Sequence, residues 1–160
     1  MGWVRATGAS LTEWTAPTPL STSGFSETYI DGVPVKYGDS WYFFSSAGSQ
    51  IYRAKSTTGI TGVYTQDRAG DWAGWGTGIE GPYVSRIGGT YRIYYDRYLQ
   101  NSGHWYSESA DLENWSGPQQ LQAGEGILPP DARVRHGSFL QLTDRDAAAK
   151  ALNTTLFAGR

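Results

Sequence analysis

The chain has 160 residues, 21 of them glycine, with 14% aromatic and 18% charged side chains and no cysteine. That length suits one domain, and the balance favours turn-rich β structure over helices. A net charge of −2 without a basic run gives no electrostatic footing for nucleic acid or an anionic membrane, and the missing cysteines exclude disulfides and thiolate metal sites. No apolar stretch approaches the ~20 residues that span a bilayer. The first residues, Met1-Gly2-Trp3-Val4-Arg5, lack the charged and apolar regions of a signal peptide, which leaves localisation undecided.

Residues 1–20 carry the run Gly8-Ala9-Ser10-Leu11-Thr12-Glu13-Trp14-Thr15, and Ser109-Ala110-Asp111-Leu112-Glu113-Asn114-Trp115-Ser116 has the same cadence. A middle copy at 56–64 keeps the apolar positions, Ile60 and Tyr64 among them. We read this unit as the outer end of a β-propeller blade. The chain therefore opens on the end of a blade whose beginning it does not contain.

Residues 21–66 predict one blade, with strands near 32–36, 41–46 and 50–55 and an outer segment around Ile60 and Tyr64. Residues 67–78 form a Gly/Trp loop in which Trp72 and Trp75 either stack on a sugar ring or plug the gap between blades. The next blade, within 67–118, has strands near 82–86, 91–96 and 103–108. A proline-containing connection follows at 119–134, then a lone strand at 136–142. Beyond it, 144–160 begins with helix-forming composition and a plausible cap at Asp144. The predicted fold is all-β: a partial β-propeller over 1–143 with about two complete four-stranded blades (21–66 and 67–118). Partial blades flank them at both ends (1–20 and 119–143), and the tail at 144–160 carries a short helix.

A longer repeat supports that architecture. Asp31-Gly32-Val33-Pro34-Val35, then Gly38 and Trp41-Tyr42-Phe43-Phe44, parallels Glu80-Gly81-Pro82-Tyr83-Val84, then Gly88 and Tyr91-Arg92-Ile93-Tyr94. Matching Asp31 with Glu80 matches Gly32 with Gly81, and one extra residue matches Gly38 with Gly88. A third copy begins at His136-Gly137-Ser138. Steps of 49 residues (31 to 80) and 56 residues (80 to 136) are those of propeller blades. Asp31, Glu80 and His136 then occupy one position in successive blades. Two carboxylates brought to a common axis are what glycoside hydrolysis requires, one protonating the departing oxygen. Taken singly, each reads as a strand-start residue satisfied by backbone N–H groups, and it is their equivalence in successive blades that favours function.

These motifs carry a resemblance. Ile30-Asp31-Gly32, Ile79-Glu80-Gly81-Pro82 and Arg135-His136-Gly137-Ser138, in that order, resemble glycoside hydrolase family 43, five-bladed propellers acting on arabinose- and xylose-containing glycans. The resemblance runs from about residue 6 to 143. It implies Glu80 as the general acid, and Asp31 as the like-charged neighbour that orients it and favours its protonated form. It implies His136 at a central cavity, against substrate or the shell of a calcium ion, with Arg135 pairing a carboxylate or a sugar hydroxyl. The implied reaction is inverting hydrolysis of α-L-arabinofuranosyl or β-xylosyl linkages. No cofactor besides that metal is implied.

The departure is large, because no residue here matches the family's catalytic base, an Asp that would precede residue 6. Two blades alone expose strand edges and apolar faces, so the chain is either a fragment or assembles into a homo-oligomeric ring. A non-catalytic carbohydrate-binding module is the competing reading, with Trp72, Trp75, Tyr95, Tyr98 and Trp105 as stacking surfaces. A self-assembling structural fragment is the third.

Overall fold

The computed structural model of the chain describes residues 1–8, 12–100, 103–121 and 137. Two antiparallel sheets dominate. The first runs β4 (Ile30–Tyr37), β5 (Ser40–Ala47), β6 (Gln50–Ser56) and β7 (Tyr64–Arg68), with the short β3 (Thr22–Ser23) added parallel to β7 at its outer edge. The second runs β8 (Glu80–Ile87), β9 (Thr90–Asp96), β10 (His104–Ser109) and β11 (Gln119–Gln120). From β4 to β7 and from β8 to β11 each strand pairs with the next in sequence, the meander of a propeller blade. The fold is all-β and partial-propeller-like. β11 is a correction to the sequence reading, which ran a connection through 119–134. Two residues of polar Gln119-Gln120 give no period-2 apolar signal, so the outermost strand was invisible.

Tight turns fix the inner hairpins. Tyr37 pairs with Ser40 and Ile87 with Thr90, so two residues close each hairpin, and Gly88 and Gly89 supply the positive φ of 57° and 98° that a primed turn needs.

The strands alternate faces, and that alternation builds the core. Tyr42 and Phe44 point to the seam between the sheets, where Ile51, Ile93 and Tyr95 meet them around Trp75. Phe43, one residue away, faces the other side with Ala54 and Tyr64. The far face of the second sheet carries Tyr83 and Tyr94, stacked at 4.9 Å and 3°, beside Leu121. Each such buried large side chain contributes about 1.5–3 kcal/mol.

Arg53 stitches the seam. Its fully buried guanidinium donates from Nη1 to Leu112 O at 2.5 Å, and from Nη2 to Asp67 and to Glu113, each at 2.8 Å. It also lies 4.7 Å above the Tyr42 ring, so a charge that would be costly alone is fully partnered. Leu112 itself is buried at a φ of 62°. The loop holding it is wound around Asp111, whose carboxylate accepts the N–H groups of Asn114 and Glu113 and the Ser109 hydroxyl. Those bonds, that of the Asn114 N–H first, hold the Asp111 carboxyl well below the usual range.

The N-terminal residues form a separate ribbon, β1 (Gly2–Trp3) against β2 (Thr18–Pro19). Its bonding repeats that of β10 and β11. Thr15 N–H donates to Arg5 O at 2.9 Å while its hydroxyl accepts from Arg5 N–H at 3.1 Å. Ser116 N–H donates to Glu108 O at 2.8 Å while its hydroxyl accepts from Glu108 N–H at 2.9 Å. Leu20 N–H to Met1 O matches Leu121 N–H to His104 O. Leu11, Arg135, His136 and the tail from Asp144 lie outside the described residues.

Candidate active site

Both inner strands start with a bulge. Ile30 pairs with Ser46 and Val33 with Phe44, so three steps on β4 face two on β5. Glu80 pairs with Asp96 and Tyr83 with Tyr94, the same irregularity on β8. The left-handed residue in the first bulge is Asp31, at a φ of 54°, and in the second Gly81, at 63°. The blades thus superpose at a constant step of fifty residues, from Ile30 on Glu80 to Tyr37 on Ile87.

That register corrects the alignment drawn from sequence. Asp31 is equivalent to Gly81, not to Glu80, and Glu80 is equivalent to Ile30. The glycine match misled because the two glycines differ in function. Gly81 supplies positive φ, whereas Gly32 leaves room for the Phe43 ring, whose Cζ a Cβ there would meet at 2.1 Å. Asp tolerates the left-handed region better than most residues, so the first bulge needs no glycine at its kink.

The one-residue difference sends the two carboxylates into neighbouring hollows. Asp31, exposed, lines one of about 280 Å³ together with Gly32, Gly81, Pro82, Tyr83 and Gly137. Asp31, Gly81 and Gly137, a residue from each of the three repeated motifs, therefore line it together. Glu80, half-buried, lines a second hollow of about 240 Å³ with Ile30, Ser49, Ile79 and Tyr98.

Glu80 is held from the preceding blade. The N–H groups of Gly78 and Ile79 both donate to Ser49 O, at 2.9 and 3.1 Å, and Gly81 N–H donates to the Ser46 hydroxyl at 2.9 Å. Ile79 is 1% exposed, so the residue before the carboxylate is anchored in the core. Across the sheet, Glu80 pairs with Asp96, and Asp96 with His104, both 2% exposed. The His104 ring tilts against Tyr83 at 5.8 Å. The sequence reading passed over this row. Its signal was an acid ending the otherwise aromatic strand Tyr91-Arg92-Ile93-Tyr94-Tyr95-Asp96 and a histidine opening the next.

The aromatic candidates fall differently. Trp75 is 2% exposed and Tyr95 fully buried, and their rings pack at 5.6 Å inside the seam, with Trp115 5.4 Å from Trp75. Neither offers a face to a sugar, which corrects their assignment as substrate-binding residues. Burial pushes the Tyr95 phenol up to about 12. Trp72 is half-buried against the same core, its indole N–H donating to Ile51 O at 2.9 Å and its ring beneath Arg53 at 5.1 Å. The two tryptophans plug the gap between blades. Trp105 is half-buried under the Arg97 guanidinium at 4.5 Å.

Arg135 and His136 immediately precede Gly137, the described residue of the third motif, and themselves lie outside the described residues. Among the described residues no cluster of three or more His, Asp or Glu side chains is placed to hold a metal ion. His136, through which the resemblance implied a calcium ion, lies outside the described residues.

No protein-family model and no curated protein matches the chain. Among solved structures, it is similar to the catalytic domain of a GH62 alpha-L-arabinofuranosidase from Coprinopsis cinerea, with a TM-score of 0.53 and 18% identity. That match covers 69% of this chain and 38% of the other. A glycosyl hydrolase from Bacteroides ovatus aligns at a TM-score of 0.47 and 17% identity, covering 64% of this chain and 35% of its own. The chain spans less than two-fifths of either structure, and the likeness to the first is one of fold.

Proposed function

We propose that this chain carries the acid side of a glycoside hydrolase site, with Glu80 as the general acid and Asp31 as the carboxylate that orients it and the substrate. The observation that carries the reading is that the bulged starts of β4 and β8 put Asp31 and Glu80 in adjoining hollows, the first of which Gly137 also lines. The fold it shares with an arabinofuranosidase catalytic domain supports it. Glu80 suits proton delivery: its strand start is pinned by three backbone donors while the side chain stays half-exposed toward a hollow. His136 and Arg135, adjacent to Gly137 in the first hollow, are proposed as substrate contacts, and arabinose- or xylose-containing glycans as the substrate class. Inverting hydrolysis needs a second carboxylate to activate water about 6.5–9.5 Å from the acid. That base comes from outside these residues, either from another part of a longer protein or from a second copy in a closed ring.

The burial of Trp75 and Tyr95 removes two of the stacking surfaces that a purely binding module would use. The test is light-scattering mass on purified protein, with the same fractions assayed on chromogenic α-L-arabinofuranoside and β-xyloside. Activity in a discrete oligomer, abolished by Glu80→Gln, is the expected result for a ring. Activity unchanged by Glu80→Gln would overturn the assignment.

A further inference from the structure

The hollow beside Glu80 has more built into it than the blade requires. In the first blade, β5 and β6 are joined by a two-residue turn, Gly48-Ser49, with φ of 54° and 64°. In the second blade the equivalent connection runs from 97 to 103 and opens with the 3₁₀ turn Tyr98–Gln100. The added length carries Tyr98 back over the first blade's turn, where its hydroxyl meets the Ser49 hydroxyl at 2.5 Å. Ser49 is itself an unexpected choice. The second position of a primed turn favours glycine or asparagine, and a serine there is strained. What it gains over glycine is the Oγ that faces Tyr98.

Two hydroxyls that share one hydrogen bond still have a second hydrogen and further lone pairs to offer. Glu80 lies in the same hollow, and the exposed Ile30 gives it an apolar wall. One apolar wall facing a hydroxyl-and-carboxylate wall complements a sugar ring, which shows C–H on its faces and O–H at its edge. At about 240 Å³ the hollow is smaller than the ~300–1,000 Å³ of ligand pockets at large, so it suits one ring and not a chain.

We infer that the Ser49–Tyr98 hydroxyl pair is a specificity-determining contact for a sugar ring bound in the hollow beside Glu80. The inference rests on the reading of Glu80 as general acid. An acid must lie against the oxygen joining the two sugars, and the hydroxyl pair lines the same hollow as that acid, within reach of a ring bound there. The pair then binds the edge of that ring, fixing its orientation before the proton moves.

The test is an amide NMR titration of the whole chain with xylotriose and with methyl α-L-arabinofuranoside, repeated on Tyr98→Phe and Ser49→Gly. Ser49→Gly suits the positive φ of the turn and removes the hydroxymethyl group, so it separates binding from folding. Saturable shifts at 46–49, 79–81 and 98 with xylotriose, with affinity about five- to tenfold weaker in both variants, are expected for a lost hydrogen bond. Xylotriose shifts confined to Asp31, Gly32 and 81–83, with affinity unchanged in both variants, would overturn the inference and leave the glycosidase reading standing. Lower thermal stability in Tyr98→Phe with unchanged affinity would make the pair a structural clasp only. No shift with either sugar would remove both readings together.

Discussion

Residues 1–8 and 12–20 share their clasp and strand-end hydrogen bonds with 104–121 and differ in surroundings. Both are a strand, a loop closed by a Thr or Ser clasp, and a short returning strand. In the later copy the Trp115 ring packs 6.0 Å from Phe44 and 5.4 Å from Trp75, and His104 and Leu121 are buried. In the earlier copy Trp14 is 53% exposed and Met1 51%. Local sequence is enough to set the ribbon, while burial depends on the inner strands β8 and β9 and on the neighbouring blade.

The contrast should be broken most severely at the seam. Arg53→Met removes the charge that joins Asp67 and Glu113 to the Leu112 carbonyl, and should cost about 3 kcal/mol in urea unfolding, since two carboxylates and a carbonyl lose their common donor. No residue of the ribbon should match that loss. Trp115→Ala should cost about 3 kcal/mol and Trp14→Ala under ~0.5 kcal/mol, because only the first ring fills core volume. Equal losses at the two tryptophans would mean that the ribbon is covered as the seam is.

A third prediction uses pH. The Tyr95 phenol is raised by burial to about 12 from its ordinary 10.0, so the native chain holds a proton that the unfolded chain releases between those values. Its contribution is therefore complete below pH 10 and is lost as pH rises through about 12, at about 1.4 kcal/mol per pH unit. Denaturant midpoints at pH 9, 10 and 11 should show a shallower alkaline fall in Tyr95→Phe than in the parent. Residues 1–20 contain no tyrosine and add nothing to that slope. The smallest effect belongs to the clasps. Ser116→Ala should cost about 1 kcal/mol and Thr15→Ala, more exposed, about half that, both readable as faster hydrogen exchange at Glu108 and Arg5.

Much of this was legible in the sequence because propeller strands are short, alternating and separated by glycine turns. Tyr91-Arg92-Ile93-Tyr94-Tyr95 and Trp41-Tyr42-Phe43-Phe44 declare strands, and the Leu-x-x-Trp cadence marks the blade ends. What stayed hidden was set by backbone conformation or by partners far along the chain. The bulge register turns on which of two neighbouring residues adopts positive φ, and both Asp-Gly and Glu-Gly permit either choice. Trp75 and Trp115 look alike as free ligand platforms or as core until the opposite blade is in place. Ser49 and Tyr98 lie 49 residues apart, and nothing local to either predicts their meeting.

The shared bulge has a consequence for how such a surface changes. Ile30 and Glu80 border one hollow, Asp31 and Gly81 the other, on a backbone whose pairing is the same in both blades. Moving an acidic side chain a single place along the chain thus transfers it between two compartments, and the ladder on either side keeps its partners. The scaffold thus offers a side chain two neighbouring positions, one opening on each hollow, on a pairing common to both blades.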